Sequence, residues 1–127
     1  MKKAISLILA LMMCLSLCAC GKSRSAMLNE AKTLNWSAAH KVLRSNGAKF
    51  DLEYAGKAWK YTGTVLRVYS SYCDMASEKY NGSFVNTLTV CMDTEDLAKI
   101  SPGNMITVVG IMDKNRARLT DAFLVEN

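Results

Sequence analysis

Histidine is almost missing from this chain of 127 residues: His40 is the only one. A zinc site usually takes several His or Cys ligands, and a lone imidazole cannot supply them. The same scarcity leaves nucleophilic catalysis short of a base, because any Cys nucleophile would have to recruit that one ring. No Cys-x-x-Cys occurs, so the pattern of a thioredoxin-like redox site is absent. Gly56-Lys57 lacks the preceding glycine of a phosphate loop, and neither a dinucleotide fingerprint nor a calcium loop is present. The carboxylates fall in small groups. Asp51 and Glu53 read as solvated charge pairs, and Glu95 with Asp96 as the acidic start of a helical turn. These absences argue against an enzyme, a metal centre and a bound cofactor.

What is present begins with a targeting segment. Lys2 and Lys3 form a positive start, and residues 4–17 are apolar apart from Ser6 and Ser16. A run of that length suits the apolar region of a signal peptide and falls short of the ~20 residues of a membrane span. It ends in Leu17-Cys18-Ala19-Cys20-Gly21. A Leu three positions before a Cys, small residues between them and a Gly after resembles the lipobox of bacterial lipoprotein precursors. The resemblance implies cleavage before Cys20, a lipid on its thiol, and an extracytoplasmic position anchored to the bacterial cell membrane. Residues 1–19 are then signal peptide, 20–35 a lipidated tether and 36–127 the folded domain. Cleavage leaves 108 residues and, with Lys2 and Lys3 gone, lowers the formal charge from +5 to +3. That is one small domain, mildly basic, which permits a polyanionic partner without calling for one.

Of the five cysteines, Cys14 and Cys18 leave with the signal and Cys20 carries the lipid. Cys73 and Cys91 remain. Export allows a disulfide between them, closing a loop of about 18 residues worth roughly 3 kcal/mol in the chain-entropy picture. The other reading is two free thiols, one or both buried as small apolar residues. A thiol or redox function for the pair is a further reading, and it needs a reactive thiolate.

Met27, Leu28, Ala31 and Leu34 have helical spacing at the end of the tether. Ala39, Leu43, Gly47, Phe50 and Tyr54 then recur at steps of three and four, which places them on one face. The spacing predicts one helix over residues 37–54, capped by Asn35 or Ser37 and ended by a left-handed Gly56. Asn46-Gly47 is a turn signal inside it, so two shorter helices are the competing reading. Beyond Lys57 the composition turns to strands, over residues 57–69, 72–76, 83–92, 105–112 and 117–125. Residues 77–82, with Asn81-Gly82, and residues 101–104 read as turns; residues 93–100 read as a helical turn. Phe84, Leu88, Val90 and Met92 alternate on one side of the third strand. The nearly continuous apolar run 105–112 predicts a strand buried on both faces. A helix, three strands, a short helix and two strands make a mainly β chain with an N-terminal helix (α+β). The expected architecture is a five-stranded OB-fold Greek-key barrel.

Particular residues sharpen this. Asn46, Asp51, Tyr54, Gly56 and Lys57 are followed by Thr62-Gly63 with Val65, then Val90-Cys91, Leu97, Gly103 and Val108-Val109-Gly110. With residues 119–125 they resemble, in order and spacing, the OB-fold family related to the tRNA-anticodon-binding domain, found as small bacterial lipoproteins and secreted proteins. The resemblance runs from about residue 37 to residue 125. Phe50 departs from the family's usual small Ala, and Ala122 stands where many members carry a second Cys, which leaves Cys73 as the one partner for Cys91 within the domain. The resemblance implies a fold and a location, and no particular reaction.

OB-folds bind oligonucleotides and oligosaccharides on the sheet around their second and third strands and in the flanking loops. Tyr69, Tyr72 and Tyr80 lie on or beside those elements, with Arg67, Lys60 and Lys79 as sources of charge. Rings for stacking beside basic groups make the candidate ligand face; rings packed on the barrel with wet hydroxyls are the plain alternative. The expectation is a non-enzymatic, membrane-anchored binding or interaction module with no cofactor and no metal. Single-stranded nucleic-acid or oligosaccharide binding is the alternative to an interaction with another protein.

Overall fold

The computed structural model describes residues 23–76 and 86–126. The signal segment, Cys20, the turn at Asn81-Gly82, Phe84, Lys79 and Tyr80 lie outside them. Along the chain come α1 (Arg24–Glu30), β1 (Lys32–Thr33), α2 (Trp36–Ser45), α3 (Gly47–Glu53), β2 (Ala58–Val68) and β3 (Tyr72–Ala76). After these follow β4 (Leu88–Met92), α4 (Thr94–Leu97), β5 (Met105–Met112) and β6 (Arg118–Leu124).

Strands β2 to β6 close on themselves. The order β2-β3-β4-β6-β5 returns to β2 through an antiparallel ladder that sets Ala58 opposite Ile111 and Thr64 opposite Met105. β4 and β6 run parallel, while the other barrel pairs are antiparallel. This is the mainly β, OB-fold-like barrel that the sequence predicts. Its interior follows from the two-residue repeat of the strands. Leu88, Val90 and Met92 are buried, and Thr89 and Cys91 between them are half-exposed. β5 is buried on both faces only in its middle. Val108 points into the barrel core, whereas Val109 packs outside it with Met27 of α1 and Phe123 of β6. At its start Met105 is 58% exposed. Gly110 answers to a close approach: a Cβ there would come within 2.9 Å of the Ala122 Cβ and 3.1 Å of the Leu119 Cβ.

One end of the barrel, the helical end, is covered by α2 and α3. They put Trp36, Ala39 and Phe50 into the core. They are two helices, not the single helix expected over residues 37–54. Asn46 ends the first with extended backbone and caps the second, its side chain accepting from the Lys49 amide at 3.0 Å. The apolar face runs on across the break, so its spacing conceals the interruption. Gly47 lets the junction press on the β5–β6 turn, where a Cβ would meet Asn115 Oδ1 at 2.7 Å. Gly56 takes the expected left-handed conformation, with φ of 74°.

The opposite end is closed by α4, which buries Leu97 with Ile100. From Ser23 onward the segment read as a tether is packed on the barrel wall. Ser23 caps α1, Met27 is buried, and β1 pairs in parallel with β2 so that Lys32 lies opposite Trp59.

Candidate binding face

β2 passes to β3 through a tight turn in which the Tyr69 amide donates to the Tyr72 carbonyl at 2.8 Å. The closure brings the two rings into a stack, with centroids 4.4 Å apart and planes 23° from parallel. Tyr69 remains 38% exposed. Arg67 stands on the same outward side, and its hydrogen bond with the Tyr69 side chain raises its already high pKa. The rings and the guanidinium form one cluster.

From that cluster a row of polar side chains crosses the outer face of the sheet. Arg67 lies opposite Asp74, and the Thr89 hydroxyl donates to Asp74 Oδ1 at 3.1 Å. Thr89 lies opposite Arg118, whose Nη2 and Nε donate to Asp113 Oδ2 at 2.6 and 3.0 Å. These bonds hold the Asp113 carboxyl below the usual carboxylate range. Two shallow hollows open on this face. One of about 210 Å³ is lined by Leu66, Arg67, Asp74 and Thr87. The other, of about 330 Å³, includes Arg24, Ser71, Cys91, Asp93 and Asp121 in its lining.

The structure therefore joins Tyr69, Tyr72 and Arg67 and leaves Lys60 out. Lys60 lies opposite Val109 of β5 and beside Thr33 of β1. Seven residues of strand separate it from Arg67, about 23 Å at the usual rise. Tyr80 falls outside the described residues. The second hollow was not legible in the sequence, because Arg24, Ser71, Asp93 and Asp121 come from four separate segments.

Cys73 and Cys91 are free thiols. The β3–β4 ladder pairs Cys73 with Val90 and Cys91 with Tyr72. Alternation then sends one sulfur into the core and the other to the outer face, an arrangement no disulfide can bridge without moving the backbone. Burial pushes the Cys73 thiol up to about 12, with Asp74 and Cys91 adding to it. Burial also raises Cys91. Neither is poised as a thiolate at neutral pH, so the redox reading lacks its nucleophile. His40 packs edge-on against Trp36 at 5.5 Å, and burial followed by the nearby Arg44 lowers its pKa. Among the described residues no three His, Cys, Asp or Glu side chains gather to hold a metal ion.

No protein-family model matches the chain, and no curated protein matches it in sequence. Among solved structures it is similar to a protein of Klebsiella pneumoniae subsp. pneumoniae described as a "putative nucleic acid-binding lipoprotein". The TM-score is 0.66 at 18% identity, over 84% of this chain and 100% of the other. That likeness is one of fold: both are small barrels of the same architecture.

Proposed function

We propose that this chain is a non-enzymatic binding module of the OB-fold family related to the tRNA-anticodon-binding domain, held outside the cytoplasm by a lipid on Cys20. The observation that carries the reading is the stacked Tyr69–Tyr72 pair beside Arg67 on the outer face of the β2–β3 hairpin. Aromatic faces next to a guanidinium suit ligands that present flat rings along a chain. A single-stranded nucleic acid fits that description, and an oligosaccharide is the competing ligand. The description of the Klebsiella protein with the same fold supports the first. The lipobox residues Leu17 to Gly21 support the anchor.

The test is retention of the full-length lipidated chain on immobilised single-stranded oligonucleotides and on oligosaccharides. Losing a stacked base costs about 1–3 kcal/mol, so the double variant Tyr69→Ala/Tyr72→Ala is expected to bind roughly tenfold or more weakly. Equal retention of both proteins would sink the face assignment. Cys20→Ala is expected to leave the chain uncut or released. A mature-sized Cys20→Ala chain still held in the membrane would overturn the anchor.

A further inference from the structure

The charges of the barrel are sorted by end. At the α4 end Arg24, Arg67 and Lys99 are outnumbered by Asp93, Glu95, Asp96, Asp121 and Glu126. Arg24 and Lys99 are engaged there, Arg24 with Asp93 at 3.1 Å and Lys99 with Glu126 at 3.0 Å, and Arg67 is held by Tyr69. The helical end is the reverse. Its carboxylates are taken up locally: Glu53 by Lys49, Asp113 by Arg118, and Asp51 by the Asn115 amide at 2.7 Å. Lys41, Arg44, Lys114 and Arg116 are all exposed and form no ion pair among the described residues.

These four lie on two distant segments that the fold brings into contact. The Gly47–Asn115 approach and the Asp51–Asn115 hydrogen bond clamp the α2–α3 junction onto the β5–β6 turn. Arg44 lies three residues before Gly47, with Lys41 one helical turn earlier, and Lys114 and Arg116 flank Asn115.

The anchor gives this polarity a direction. Arg24, in the first turn of α1, reaches Asp93 and Asp96 at the α4 end. Ser23 is three residues from Cys20, a span of about 10 Å when extended. With Cys20 lipidated as proposed, the anchor would join the barrel at the acidic end, where Arg24 sits, and the basic end would be the membrane-distal one.

We infer that the exposed basic patch of Lys41, Arg44, Lys114 and Arg116 is an interaction surface that grips the phosphate backbone of single-stranded nucleic acid at the membrane-distal end. The inference rests on the proposed anchor and binding class. It adds a surface separate from the tyrosine pair. The row from Arg118 through Thr89 and Asp74 to Arg67 joins the two surfaces across the outer face. One strand can run from the phosphate grip to the rings.

The experiment uses the full-length lipidated protein on phosphatidylcholine vesicles and an oligothymidine of about 15 nucleotides, within the reach of one barrel of this kind. Affinity is measured across a salt series. Each phosphate neutralised on a single strand adds about −0.7 to the slope of log affinity against log salt. The variant Lys41→Gln/Arg44→Gln/Lys114→Gln/Arg116→Gln is expected to bind more than tenfold more weakly and to flatten the slope by about 3 units. Its thermal midpoint stays at the wild-type value, because all four side chains are exposed. An unchanged slope in that folded variant overturns the proposal. If the tyrosine double variant loses affinity while the basic variant does not, this surface falls and the tyrosine face stands. If the basic variant alone loses binding, the surface stands and the tyrosine face falls. Equally tight binding of inorganic polyphosphate overturns the assignment to nucleic acid.

Discussion

The two ends of the barrel are closed by different physics. At the helical end α2 and α3 bring Trp36 and Phe50, among the largest fully buried side chains of the described residues. At the other end α4 is a single turn that adds Leu97 and leans on a carboxylate. Asp96 is 6% exposed, accepts from the Leu124 amide at 3.1 Å, and lies 3.7 Å from Arg24 and 3.9 Å from Lys99. Packing closes one end; charge and hydrogen bonding close the other. An aromatic cap is indifferent to salt, whereas a cap held by ion pairs is screened by it.

Removing the aromatic cap is expected to have the largest effect. Phe50→Ala should cost about 3–5 kcal/mol, read as a fall in the thermal midpoint. Leu97→Ala should cost about 2 kcal/mol, near the low end for such truncations, because a one-turn helix at a chain crossing relaxes more readily than two packed helices. Equal losses for the two would break the contrast. Asp96→Asn keeps an acceptor for Leu124 but removes the charge facing Arg24 and Lys99. It should cost about 1 kcal/mol at low salt and less at high salt, and a salt-independent loss would show that packing decides this end as well. The smallest effect concerns the pH dependence of the helical end. Asp113 has a depressed pKa in the fold, so the stability it contributes is present above its unfolded value, near 3.8, and is lost as pH falls below that. Asp113→Asn should therefore flatten the acid limb of the unfolding curve; an unaltered limb would remove Asp113 from the account.

Much of the barrel was legible in the sequence because strands announce themselves by alternation. Leu88, Val90 and Met92 against Thr89 and Cys91 need no tertiary information. The helix break was hidden for the opposite reason. Asn46 interrupts the hydrogen bonding without interrupting the apolar face, and only the side-chain cap on Lys49 shows which way the turn signal resolves. The cysteines were ambiguous because a separation of about 18 residues says nothing of register. Once Cys73 is set against Val90, the two sulfurs part to opposite faces. Lys60 was grouped with the tyrosines by nearness in sequence. The eleven-residue length of β2 carries it to the other end of the barrel. The basic patch stayed invisible because its halves, Lys41 with Arg44 and Lys114 with Arg116, are seventy residues apart in the chain. A glycine contact and one hydrogen bond, from the Asn115 amide to the Asp51 carboxylate, bring those segments together.

The ladder between β2 and β5 has a consequence for how the molecule assembles. It joins residues 58–64 to 105–111, with β3, β4 and α4 strung between them. The hairpin of β2 and β3 forms from neighbours in sequence and can appear early. The seam must wait for a loop of more than forty residues to close, a step whose entropy is lost before any contact repays it. The helix α1 packs on both β2 and β5, with Met27 against Val109 and Phe123, so its full docking is expected to follow closure of the seam. The N-terminal helix is thus a latch on a finished barrel, and its protection from hydrogen exchange would report on completion of the fold more directly than that of any strand.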